Sequence, residues 1–287
     1  MRKALILALA VLMLAALAAL PVSAGTATKG GYTPPDLPER KPILKPTMEF
    51  KLPEVSPEAT SKYAVIIGIS DYYGTSSDLR YCDDDAWDVY YALTQKYGFP
   101  SGNIYMLLNS QATYANIMSA IDWLIAAENS GSVVVFYYSG HGSRKSGDPD
   151  GDGEYTDESI VPYELSRIYD GALAAKFAQF QSQQVWIAFD SCYSGGMNDS
   201  GITGPYKIDT MACRESELAG ESSSVQNGFF TYLMVDRGMR QGYADSNSDG
   251  VVTVEEAFTY CSNNMGYYSS SQHPVINDQY PGSMPLN

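Results

Sequence analysis

The chain has 287 residues, with 18 Lys and Arg against 33 Asp and Glu, a formal net charge of −15 and only two histidines. That balance argues against nucleic-acid binding, because phosphate contacts need basic patches. It suits calcium, basic peptides or a well-solvated exported surface.

Residues 1–24 read as a secretory signal peptide rather than as part of a fold. Arg2 and Lys3 precede an apolar stretch from Ala4 to Leu20, and Val22-Ser23-Ala24 offers a small-residue cleavage site before Gly25. The stretch is nearly long enough to be an uncleaved anchor, but the break at Pro21 and the small-residue triplet favour cleavage. Removing it takes two basic residues and no acid, leaving −17. No second long apolar run follows, so the expected product has no stable membrane span and is secreted, extracellular or held in the cell envelope. Residues 25–60 carry seven prolines and little periodicity, which reads as a Pro-rich linker or pro-segment. Residues 61–287 suit one α/β domain with an insertion.

Within that domain Tyr63–Ile69 is a continuous apolar run, as expected for a strand buried on both faces. Asp83–Lys96 has helical spacing through Ala86, Val89, Tyr90 and Leu93. Asn103–Leu108 is a second short strand. Thr113 can cap a helix to Glu128 with Ile117, Ala120, Ile121 and Leu124 on one face. Val133–Tyr138 is a third strand, Ile168–Gln181 a helix and Val185–Phe189 a fourth strand. Tyr206–Cys213 is a candidate fifth strand, Asn227–Arg240 and Thr253–Asn264 are helical, and Gln272–Ile276 is a short strand in a loop-like tail. The strand–helix alternation predicts a mostly parallel sheet covered by helices. Ligands in such sheets bind beyond the carboxyl ends of the strands.

Two segments carry the chemistry. Val133-Val-Val-Phe-Tyr-Tyr-Ser-Gly-His141-Gly142 and Val185-Trp-Ile-Ala-Phe-Asp190-Ser-Cys192-Tyr-Ser-Gly-Gly196 each end an apolar run in a small-residue turn. A thiol is a good nucleophile only as a thiolate, and a nearby imidazole can take its proton. The glycines allow a substrate backbone to approach and leave N–H groups free for an oxyanion. His273 precedes a proline with no glycine turn and reads as structural.

The segments Tyr-Ser-Gly-His-Gly-Ser (138–143) and Asp-Ser-Cys-Tyr-Ser-Gly-Gly (190–196) resemble the caspase-like clan of cysteine peptidases, most nearly metacaspases and prokaryotic caspase-domain proteins. Leu79-Arg-Tyr-Cys-Asp-Asp-Asp85-Ala86, Gly153–Pro162, Ala212–Glu221 and Gly228-Phe-Phe-Thr231 add to the likeness, which runs from about Lys62 to Tyr280. The resemblance implies a three-layer α/β/α sandwich and a Cys192–His141 dyad acting on peptides through a thioester, with Gly142 and Cys192 N–H groups as oxyanion donors. It also implies that Asp85 and Asp190 form an acidic pocket selecting Arg or Lys. A paired carboxylate fork suits guanidinium or ammonium. Asp85 also reads as an acid favoured by a helix N-terminus, and Asp190 as a strand-end turn former. The family likeness places the segments of Cys82 and Cys213 near one pocket, which makes a Cys82–Cys213 disulfide possible; buried free thiols are the alternative. Self-processing is a further expectation, with Lys207 and Arg214 downstream of Cys192 and Arg40, Lys41, Lys45 and Lys51 in the linker. Tyr193 departs from the family, which commonly has His there.

Asp245-Ser-Asn247-Ser-Asp249-Gly250-Val251-Val-Thr253-Val-Glu-Glu256 fits a twelve-position calcium loop. Oxygen donors stand at positions one, three, five, nine and twelve, Gly at six and a carbonyl at Val251. A helix before and after it would make an EF-hand-like insertion. Asp148-Pro-Asp150-Gly-Asp152-Gly153 begins the same way, lacks the twelfth acid at Ser159, and has Asp157 and Glu158 just short of it. These readings predict an exported, calcium-linked cysteine endopeptidase. A non-catalytic calcium-binding surface module of the same fold, or a transpeptidase sharing the thioester, remain open from sequence.

Overall fold

The computed structural model describes residues 61–151, 153, 155–198 and 202–287. The signal peptide, the Pro-rich linker and Asp152 lie outside these residues.

Six strands form the main sheet: β1 (Lys62–Gly68), β2 (Ile104–Leu108), β3 (Val133–Ser139), β7 (Val185–Asp190), β8 (Lys207–Met211) and β11 (Val275–Asp278). Their spatial order is β11-β8-β7-β3-β1-β2, with β11 antiparallel and the rest parallel. Successive residues of the central strands feed opposite layers. Val135, Tyr137, Trp186 and Ala188 join one core, which holds α1 (Cys82–Gln95), a π-wound helix (Tyr232–Arg240) and α5 (Val254–Met265). Val134, Phe136, Ile187 and Phe189 join the other, with α2 (Tyr114–Ala127) and α3 (Asp170–Phe177). The result is the expected α/β/α sandwich. Fully burying one such side chain contributes roughly 1.5–3 kcal/mol, so the doubly buried strands hold the rim of the sheet firmly.

A second, three-stranded sheet was not foreseen: β4 (Gly142–Ser146), β5 (Thr156–Ile160) and β6 (Ile168–Tyr169), ordered β4-β5-β6. It corrects the long helix expected from Ile168. Ile168 and Tyr169 pair with Ile160 and Ser159, and the helix starts at Asp170 and ends at Phe177. Asn227 and Gly228, expected to be helical, form β10, paired with β9 (Glu221–Ser222). The short helix α4 (Phe229–Thr231) then leads into the π-wound segment. Thr113 caps α2 by accepting from Asn116 N at 3.3 Å. Thr253 and Glu256 cap α5 reciprocally. The possible Cys82–Cys213 disulfide is not formed, and all four cysteines are free. Among the described residues no helix is long and apolar enough to cross a membrane.

Candidate active site

β3 and β7 are adjacent and parallel, with Ser139 opposite Asp190. His141 and Cys192 each follow two residues further on, so both leave the sheet at the same carboxyl-end rim. They line one cleft with about 350 Å³ of empty space, its mouth included, together with Asp85, Ser139, Asp190, Glu221 and Gly228.

The His141 backbone is clamped between two tyrosines. His141 N–H donates to Tyr72 Oη at 2.7 Å, and Tyr138 Oη donates to the His141 carbonyl at 2.7 Å. The Tyr72 ring also lies against the imidazole, with centroids 4.7 Å apart. Burial raises both hydroxyl pKa values, so both stay protonated. His141 Nε2 lies 2.7 Å from the Ser77 carbonyl oxygen. A carbonyl only accepts, so Nε2 carries a hydrogen and the neutral ring keeps its lone pair on Nδ1. No sequence pattern announces this orienting group, because it is backbone.

Cys192 is half-buried, and its thiol points to the Ala219 carbonyl at 3.8 Å. Burial raises its pKa, so the resting sulfur is a thiol that needs a base to react. Gly142 explains itself by contact: a Cβ there would lie 1.9 Å from the Cys192 carbonyl oxygen. Val161 N donates to the His141 carbonyl, and Gly142 stands opposite Ile160 in the antiparallel ladder. Antiparallel pairs alternate, so Gly142 N–H is turned away from β5 and free to donate elsewhere. The two proposed oxyanion donors thus sit on touching peptides.

Asp85 and Asp190 meet deeper in the cleft. Asp85 accepts from Ser139 Oγ at 2.8 Å and Gly228 N at 3.0 Å. Asp190 accepts from Thr231 N at 3.1 Å and Thr231 Oγ1 at 2.6 Å. A Cβ on Gly228 would lie 2.5 Å from Asp190 Oδ2 and 3.1 Å from Asp85 Oδ2, so this glycine keeps the space over both carboxylates open. Burial pushes both acids up, Asp190 to about 6, and the Asp190 charge raises Asp85 further. A cation between them would reverse that cost. Glu221, which the sequence reading did not single out, reaches the same cleft and accepts from Arg80 N and Tyr81 N. Thr231, Tyr72 and Tyr138 were also missed as site residues; Tyr138 and Thr231 stand inside family-like motifs, and Tyr72 does not. His273 is paired with Glu217, Nδ1 to Oε1 at 2.7 Å, and is not among the cleft residues.

The acidic segments behave differently. Carboxylate oxygens of Asp148, Asp150 and Asp157 lie within 4.8 Å of one another, so Asp157 completes the group begun by the first two. In the 245–256 segment, Asp245 accepts from Asp249 N and Gly250 N, and Glu256 Oε1 accepts from Ser246 Oγ at 2.7 Å, joining the loop's two ends. Gly250 has φ +88°, the left-handed turn that position six requires. Thr253 is engaged in the helix cap. The preceding helix stops at Arg240, four residues short of Asp245, so the loop lacks the entering helix of a standard EF-hand. Asn247, Asp249 and Val251 all lie in this exposed turn, with Val251 N bonded to Asp249 Oδ1.

A parallel, helix-covered sheet with thiol and imidazole at one rim and acids beneath them defines a caspase-like cysteine peptidase architecture. The chain belongs to the caspase-domain family: the family model described as "Caspase domain" matches residues 61–281. It is similar to Metacaspase-4 of Arabidopsis thaliana, 35% identical over 182 residues, covering 60% of this chain and 43% of the relative. It is also similar to Metacaspase-1 of Saccharomyces cerevisiae, 34% identical over 152 residues, 49% of this chain and 35% of the relative. The match thus spans less than half the length of these relatives. The crystal structure of protein GSU0716 from Geobacter sulfurreducens has the same fold, with a TM-score of 0.59 and 17% identity, covering 76% of this chain and 92% of that one.

Proposed function

We propose that this chain is an exported cysteine endopeptidase that cleaves after Arg or Lys and binds calcium. The observation that carries the reading is the shared rim: His141 and Cys192 leave neighbouring parallel strands into one cleft floored by Asp85 and Asp190. His141 Nδ1 takes the Cys192 proton while Ser77 holds the ring. The thiolate adds to the peptide carbonyl, and Gly142 and Cys192 N–H groups receive the oxyanion. Collapse expels the amine, which takes the proton from His141. Water, activated by the same imidazole, then hydrolyses the thioester. The P1 cation lies between Asp85 and Asp190, where its charge stabilises two acids that burial otherwise drives toward protonation.

Calcium would be held by Asp148, Asp150 and Asp157, and in the second loop by Asp245, Asn247, Asp249, the Val251 carbonyl, Thr253 and Glu256. Oxygen donors of this kind suit a hard cation. When bound, calcium neutralises crowded carboxylates and stiffens the loops that carry them. The chain's own link to the nucleophile is Glu158, next to Asp157: its carboxyl group lies under Gly196, where a Cβ would come within 2.2 Å. Export rests on the basic start, apolar run and small-residue triplet of residues 1–24.

The test is cleavage of peptides ending in Arg, Lys, Asn or Asp at P1, with and without a chelator, against Cys192→Ala. The expected result is Arg or Lys turnover that disappears in the variant. Equal or better cleavage after Asp overturns the specificity; turnover by Cys192→Ala overturns the nucleophile.

A further inference from the structure

The acyl side of the cleft is accounted for by Asp85, Asp190, Gly228 and the Ala219–Gly220 backbone. The departing amine must therefore leave on the opposite side of Sγ, past β4 and the residue after the nucleophile. That exit is marked by two side chains. Arg144 is two residues beyond Gly142 on β4, so it projects from the same face, the face on which Gly142 meets the Cys192 peptide. Its guanidinium lies over the Tyr193 ring, 4.7 Å from the centroid. Tyr193 holds φ +61°, an uncommon conformation for a residue with a side chain, and its N–H is tied to the Glu217 carbonyl at 2.8 Å. The backbone that carries the ring is thereby held in place.

Arg144 is exposed, and no carboxylate among the described residues forms an ion pair with it. In a chain with 33 acids and 18 basic residues, a guanidinium set over an aromatic ring beside the nucleophile, with no salt bridge among the described residues, is unusual. Stacking leaves its N–H edge free for a carboxylate, which it can grip in bidentate fashion. Its strand neighbour Glu158, opposite it in the ladder, is buried beneath the Cys192 loop instead.

We propose that Arg144, stacked on Tyr193, forms a leaving-side subsite that selects an acidic side chain one or two residues after the scissile bond. This rests on the Cys192–His141 endopeptidase reading and adds to it. The preferred cleavage sequence then pairs a cation before the bond with an anion after it, matching the acid pair on one side of Sγ and the lone guanidinium on the other.

The experiment uses internally quenched peptides with Arg fixed at P1 and Asp, Glu, Gln, Gly or Lys at the next two positions. They are assayed with calcium on the full chain, Arg144→Gln and Arg144→Glu. The wild type is expected to favour acidic over basic leaving-side residues by about two- to five-fold in kcat/KM, the size of a partly exposed ion pair, with the preference shrinking as salt is raised. Arg144→Gln should flatten the ranking and Arg144→Glu invert it, while each variant keeps Arg over Asp at P1. Tyr193→Leu, which keeps bulk and removes the π-face, should weaken the acidic preference. A wild-type ranking that is flat, or that Arg144→Glu leaves unchanged while P1 selection persists, overturns this subsite alone. Failure of the wild type to cleave any peptide overturns the endopeptidase reading and this proposal with it.

Discussion

The acid pair Asp85/Asp190 and the acidic loop Asp245–Glu256 are both groups of carboxylates in one acidic chain, yet the fold treats them in opposite ways. The pair is buried, comes from α1 and β7, and is brought together by long-range contacts through Gly228 and Thr231. The loop is exposed and bonds mostly to itself, through turns two to five residues long. Burial gives the first raised proton affinity, a cost that a cation in the proposed pocket would offset. Exposure leaves the second as a set of solvated oxygens that calcium can gather. The lesson is that carboxylate count says little about function until desolvation is known.

The predictions that test this difference begin with the largest effect. Cys192→Ala and His141→Ala should each lower kcat/KM by at least about 10³-fold, with little change in melting temperature. Asp190→Asn should lower kcat/KM for Arg or Lys peptides by roughly 30-fold or more, because one charge of a buried fork is lost, whereas Asp249→Asn should leave P1 selection intact. A pH series separates the regions further. Asp190 is raised to about 6 in the fold from an ordinary value of 3.8. The folded state therefore binds more protons than the unfolded chain between those values. Its contribution to stability is full below about 4 and is lost as pH rises through about 6. Affinity for a P1 cation runs the other way, rising through about 6 as the pocket ionises. As pH rises over this range the melting temperature and KM for Arg or Lys peptides should therefore both fall, one reporting lost stability and the other gained affinity. A pair with only a structural role would move the melt alone. Smallest of all, Thr253→Ala should cost about 1 kcal/mol through the lost helix cap, read as a few degrees in the melt without any change in P1 ranking.

Much of this could be read before the structure, for identifiable reasons. β1, β3 and β7 are continuous apolar runs because both faces are buried, and α2 carries its own cap in Thr113. The placement of His141 and Cys192 at one rim followed from two glycine turns at the ends of such strands. The polar strands of the second sheet had no such signal. Gly142–Ser146 and Thr156–Ile160 read Gly-Ser-Arg-Lys-Ser and Thr-Asp-Glu-Ser-Ile, and only cross-strand pairing makes them strands. Ile168 and Tyr169 looked like the start of a helix because their partners, Ile160 and Ser159, belong to a polar strand that itself carries no strand pattern. The Ser77 carbonyl and the Tyr72 hydroxyl act through positions that tertiary packing alone creates. The ligand spacing of residues 245–256 is plain in the sequence, but the helix expected to enter that segment stops early, at Arg240.

The most direct test is labelling with a thiol-reactive peptidyl probe ending in Arg, followed by mass spectrometry of all four cysteines. Cys82, Cys213 and Cys261 are buried, Cys82 against the cleft wall, and Cys192 is the one cysteine of the four that is partly exposed. The account predicts one adduct, on Cys192, that is lost in His141→Ala and strongly reduced in Asp190→Asn. An adduct on another cysteine, or equal labelling by a probe ending in Asp, would contradict it.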